Sequence, residues 1–186
     1  MKTQVFLMFI LAHSVFTAEP WKVDWTKVET RQQSPKLFKP QKSQPETERN
    51  GRIVGGWEVE PHSHPYQVGL LLRSDNRTST YLCGGSILNE RAIFTAAHCV
   101  DSTDTAQIIV GAHNLFISES SQQRFDVNRS NYRCHYGYNS ITLNYDICII
   151  FLNEEIIFNE FVQPIELPRA AHLRERSFVA ELATVT

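Results

Sequence analysis

From Tyr66 onward the apolar positions fall into short runs separated by turn chemistry. Tyr66–Leu72 is closed by Arg73-Ser74-Asp75-Asn76. Tyr81–Cys83 and Ser86–Leu88 precede a polar turn at Asn89-Glu90-Arg91, and Ala92–Thr95 follows it. Gln107–Gly111, Arg124–Val127, Tyr132–Tyr136 and Ile147–Leu152 complete the set. Short runs rich in Ile, Val, Phe, Tyr and Leu, closely spaced, predict strands of an all-β barrel or sandwich. No window sustains a helical period beyond about three turns. Glu155–Phe161 has room for a helical turn, which its β-branched Ile156-Ile157 opposes.

The region before Tyr66 has a different texture. Lys2, an apolar stretch from Val5 to Phe16 and then Thr17-Ala18-Glu19-Pro20 form a secretory signal, so residues 1–18 are assigned to it, with cleavage after 17 or 18. The stretch is short of the roughly 20 apolar residues a membrane-spanning helix needs. Residues 19–52 hold four prolines among Lys, Gln, Ser and Glu, and no cysteine, which predicts an extended, solvated, protease-accessible segment. Trp21 and Trp25 stand out in it as side chains suited to docking. The segment ends in the basic site Arg49-Asn50-Gly51-Arg52, and residues 53–186 form the folded part.

Charge sharpens this division. The chain of 186 residues has a net charge of −2, which argues against nucleic-acid binding through phosphates. That figure combines a segment 19–52 of net +3 with a body 53–186 of net −6 that contains no lysine. No second apolar run reaches membrane length, so no membrane partner is expected and the protein is predicted to be secreted and extracellular. In that compartment the sequons at Asn76 and Asn128 become candidate N-glycosylation sites.

Three features carry candidate chemistry. Cleavage after Arg52 would expose the α-amine of Ile53, with an ordinary pKa near 8, on a hydrophobic residue suited to burial against a carboxylate. Thr95-Ala96-Ala97-His98-Cys99 ends an apolar strand, sixteen residues beyond Cys83. A Cys83–Cys99 disulfide would stabilise the chain by about 3 kcal/mol and clamp the strand end presenting His98. Imidazole is the side chain suited to proton transfer at neutral pH. Finally, Asp146 directly precedes the apolar Ile147-Cys148-Ile149-Ile150, where it could accept a histidine ring N–H and fix its tautomer. No zinc-type ligand spacing is present, so neither metal nor cofactor is expected.

Together these residues resemble the chymotrypsin/trypsin family of serine endopeptidases. Ile53-Val54-Gly55-Gly56 is similar to the family's activated N-terminus, and Pro65-Tyr66-Gln67-Val68 to its first barrel strand. Cys83-Gly84-Gly85-Ser86-Ile87-Leu88 and Thr95-Ala96-Ala97-His98-Cys99 match its histidine-loop motifs. Asp146-Ile147 resembles the segment around its aspartate, and Gln163-Pro164-Ile165 with Leu167-Pro168 its connector to a second barrel. Val110–Leu115 is similar to arthropod digestive members. The resemblance implies the first six-stranded antiparallel barrel of a two-barrel protease, protein or peptide substrates, and an activating trypsin-like protease. It implies His98 as general base and then acid, Asp146 as its orienting partner, and Ile53 as the amine that shapes the oxyanion hole after activation. Two departures appear: Tyr145 where the family usually has Asn, and Cys148 where it has a small residue. With Cys83 and Cys99 paired, Cys134 and Cys148 remain as an even pair, and a second, non-standard disulfide is the hypothesis.

The family's nucleophile sits in a Gly-Asp-Ser-Gly-Gly stretch. Here the only serine after Asp146 is Ser177, and the last glycine is Gly137. The nucleophilic serine, the oxyanion hole, the specificity pocket and the carboxylate partner of Ile53 are therefore expected beyond Thr186, and this chain alone is expected to be inactive. On this reading it is the N-terminal part of a zymogen with the second barrel missing. The competing reading is a non-catalytic homologue that binds or regulates, and a Gly-Asp-Ser-Gly-Gly in transcripts extending past Thr186 separates the two.

Overall fold

The computed structural model describes residues 23–30, 58–76 and 78–167. The signal segment, Trp21, Arg52, Ile53 and Ser177 lie outside the described residues.

The predicted strands all form, and all but Ala92–Thr95 have changed ends. They are β2 (Gln67–Arg73), β3 (Thr80–Asn89), β4 (Ala92–Thr95), β5 (Thr105–Val110), β6 (Gln123–Asn128), β7 (Tyr132–Cys134) and β8 (Cys148–Phe151). An upstream strand, β1 (Val28–Thr30), precedes them. The order across the sheet is β6-β5-β2-β3-β4-β8-β7, antiparallel throughout, with β1 added in parallel to β3. A 3-10 turn at Arg129–Asn131 joins β6 directly to β7. One kinked strand thus serves both ends of the path, and the body counts six strands curled into the expected barrel.

The two apolar runs on either side of Gly84-Gly85 are one ten-residue strand. Gly85 is what allows this. A Cβ there would stand 2.8 Å from the Phe94 carbonyl oxygen, so a side chain would push β3 away from β4. Inside the curl lie Val68, Leu70, Leu72, Ile87, Ile93, Ile108, Val110, Ile150 and Val162, each 0–1% exposed. Leu71 and Ile109 are also fully buried, so β2 and β5 are covered on both faces. That accounts for the consecutive apolar residues Leu70-Leu71-Leu72 and Ile108-Ile109-Val110, where a half-exposed strand would alternate. Glu155–Phe161 forms no helix and instead leads into an isolated bridge, Asn159 to Val162.

The only α-helix among the described residues is one turn, α1 (Ala97–Val100). Four residues are too few to show a period in the sequence. Ala96 enters the turn in an extended conformation (φ −81°, ψ 143°), and the Asp101 N–H donates to the Ala97 carbonyl.

Candidate active site

Strands β4 and β8 decide where the site falls. They pair antiparallel with Thr95 opposite Cys148. His98 lies three residues past one strand end and Asp146 two residues before the other, so both emerge at the same end of the ladder. The His98 backbone N–H donates to Asp146 Oδ1 at 2.8 Å, and His98 Nδ1 lies 2.7 Å from Asp146 Oδ2. One carboxylate therefore holds both the main chain and the ring of the histidine. A carboxylate acceptor at this place suits the Nδ1–H tautomer, the one that leaves the Nε2 lone pair free. The two side chains are 21% and 22% exposed, shielded yet reachable. Nε2 also lies 3.7 Å from Cys99 Sγ.

Two braces hold the histidine turn. Cys99 is bonded to Cys83 on β3, with Cα atoms 6.1 Å apart. The Thr95 hydroxyl donates to the Gly84 carbonyl at 2.8 Å. Cys83, His98 and Cys99 bring ligand-type atoms within 4.8 Å of one another, but both sulfurs are already bonded and do not make a metal site.

The aspartate has its own support. Cys134 and Cys148 face each other directly across β7 and β8, with Cα atoms 3.9 Å apart, and are disulfide-bonded. They close the loop that carries Asp146. Within it Tyr145 has φ 55°, in the left-handed region, and its carbonyl accepts from the Ile147 N–H at 2.8 Å. Asn tolerates that conformation more readily than Tyr. The Tyr145 ring stacks on His135 at 4.6 Å and 12°, and Tyr136 stacks on the same imidazole at 4.7 Å. The sequence marked Tyr145 only as a departure; the stack depends on His135 across the loop, and spacing gave no sign of it.

Elsewhere, His113 Nε2 contacts Glu58 Oε1 at 2.8 Å. Partial burial alone would raise the Glu119 carboxyl, but donors from Gln122 and from the His113 and Asn114 backbones, with His62 nearby, lower it on balance. Asn76 is exposed in the turn after β2. Asn128 is exposed, and its Oδ1 accepts from the Ser130 N–H at 2.9 Å as the cap of the 3-10 turn.

The curled antiparallel barrel thus presents an imidazole in contact with a carboxylate at one end of the β4–β8 ladder. The model of the Trypsin family matches residues 53–181, and this chain belongs to that family of serine proteases. It is 37% identical over 126 residues to a chymotrypsin of Phaedon cochleariae, covering 68% of this chain and 44% of that one. It is 38% identical over 120 residues to duodenase-1 of Bos taurus, covering 64% and 45%. To chymotrypsin-like elastase family member 1 of Canis lupus familiaris it is 33% identical over 122 residues, covering 66% and 47%. A solved structure described as that of GrC superposes with a TM-score of 0.57 at 30% identity, over 62% of this chain and 48% of the other. The chain thus spans a little under half the length of these relatives.

Proposed function

We propose that this chain supplies the general base and its orienting carboxylate to a secreted serine endopeptidase that works through an acyl-enzyme. The observation that carries this reading is the double contact between His98 and Asp146. In such a reaction His98 Nε2 takes the proton of an attacking seryl hydroxyl and returns it to the leaving amine. Asp146 holds the ring in the required tautomer and stabilises the imidazolium. Residues 53–186 contain no Gly-Asp-Ser-Gly-Gly stretch, so the hydroxyl has to come from outside these 186 residues. The polypeptide alone therefore does not turn over substrate.

The rest of the proposal follows the sequence. Residues 1–18 direct secretion, 19–52 form an activation segment, and a trypsin-like protease cuts between Arg52 and Ile53. The substrates are proteins or peptides, neither nucleic acid nor membrane is a partner, and the type is arthropod digestive. Asn76, on an exposed turn, is the better placed of the two glycan acceptors. No described helix is long and apolar enough to cross a membrane.

Two measurements test this reading. Purified chain should show no turnover of peptide esters and no labelling by a fluorophosphonate; turnover blocked by that reagent would overturn the inactivity. In proton NMR the His98 Nδ1–H should give a slowly exchanging low-field signal that Asp146→Ala removes. If the signal is absent, or survives the substitution, the base assignment fails.

A further inference from the structure

Strand β1 comes from the segment before Arg52, yet it is part of the barrel's sheet. Val28, Glu29 and Thr30 pair in parallel with Thr80, Tyr81 and Leu82 of β3. The vacancy it fills follows from the ladder. β2 occupies one side of β3 from Thr80 to Ser86, whereas β4 begins on the other side only at Ser86. The first half of β3 therefore has one unpaired edge, and β1 takes it.

Side chains fasten the same segment. The Ser79 hydroxyl donates to Glu29 Oε1 at 3.3 Å. The Trp25 ring packs on Phe116 at 4.7 Å. The turn between these contacts is locally organised: Asp24 accepts from the Thr26 N–H and hydroxyl and pairs with Lys27 Nζ at 2.9 Å. Residues 19–52 contain no cysteine, so no disulfide can tether this segment. Because the pairing is parallel, the chain leaves β1 at the Leu82 end of β3. One residue further is Cys83, whose sulfur braces the histidine turn.

We propose that Val28–Thr30 is a docked strand that outlives activation. After cleavage following Arg52, the upstream piece stays on the barrel, held non-covalently by its backbone ladder and by the Trp25–Phe116 contact. It denies the β3 edge beside the His98 brace to any other extended peptide, since a sheet edge accepts one strand at a time. The docking stands on the pairing itself; its persistence after a cut rests on the activation reading given above.

Hydrogen exchange on the full chain tests the docking. Neighbouring amides of a strand point to opposite edges, so the double variant Val28→Pro/Glu29→Pro removes at least one donor facing β3, whichever edge that is. In the wild type, the amides of Thr30 and of 80–82 should exchange roughly tenfold slower than in this variant. Exchange at Ile108–Val110 should be the same in both, showing that the barrel is intact. Equal exchange at Thr30 and 80–82 in the two proteins overturns the docking. Trp25→Ala, which spares the backbone, should give an intermediate result.

Persistence is tested by cutting the full chain with an arginine-specific protease and running the product on gel filtration. A fragment containing Val28–Thr30 should co-elute with the body in the wild type and separate in the double-proline variant. Separation in both overturns the proposal. Failure to find a new amino terminus at Ile53 overturns the activation reading instead, and exchange alone then decides the docking.

Discussion

Replacing Gly111 by alanine should cost far more than the same change at Gly69. Gly111 follows β5 with φ +69°, a conformation that costs an L-residue with a Cβ about 1–2 kcal/mol. Its added methyl would also press on the Ser121 carbonyl and stand 2.8 Å from Val162 Cγ2. Ser121 O is backbone and Val162 is fully buried, so neither yields cheaply, and overpacking of this kind adds about 1–3 kcal/mol. The combined loss is about 2–5 kcal/mol. At Gly69 the methyl would meet Leu115 Cδ2 at 2.7 Å, the end of a side chain that can swing away, and the expected loss is below about 1 kcal/mol. Urea unfolding followed by far-ultraviolet circular dichroism measures both. With a slope near 1.5 kcal/mol per molar, the Gly111→Ala midpoint should fall by about 2 M and the Gly69→Ala midpoint by about 0.5 M. Equal midpoints would refute the argument that a fixed carbonyl and a positive φ, rather than crowding as such, set the cost.

Asp146→Ala should destabilise the chain by about 2 kcal/mol in the same assay, because two hydrogen bonds to a charged acceptor are lost at once; no change in midpoint would contradict the contacts described. The double variant Cys134→Ser/Cys148→Ser should lower stability by about 3 kcal/mol, as expected for opening a loop of this length. If the bridge also steadies Asp146, the low-field His98 signal should broaden in that variant, and an unaltered line would show the bridge to be remote from the pair. Glu119 supplies a pH dependence. Its carboxyl is lowered from 4.5, so the folded chain binds that proton less readily than the unfolded one. The stabilisation is present above pH 4.5 and fades as the pH falls through the folded value. The stability gap between wild type and Glu119→Gln should therefore shrink on going from pH 7 to below pH 4, and a constant gap would count against the loop's hydrogen bonds.

The strands of the body were legible because both readable signals, apolar runs and turn residues, act locally. Ala92–Thr95 was read with its observed ends. His98, Asp146 and the cysteines were legible through the family motifs, and the even cysteine count anticipated the second pairing. What was hidden depends on partners remote in sequence. Strand β1 forms because β3 has a vacant edge some fifty residues away, and three residues without apolar alternation cannot announce that. The joining of two runs across Gly84-Gly85 depends on how closely β4 approaches. Tyr145 is held in the left-handed region with its ring stacked on His135, a pairing fixed by the loop's closure and not by its composition.

That closure bears on how such a chain can diversify. Cys134 and Cys148 seal the neck of the 135–147 segment two residues from the aspartate, and its tip at Asn139–Thr142 is exposed. Residues added or removed at the tip need not shift Thr95 relative to Cys148, whose pairing sets the spacing of histidine and carboxylate. The loop is thus an exchangeable cassette. The length and side chains of its tip can drift while His98 and Asp146 keep their contact.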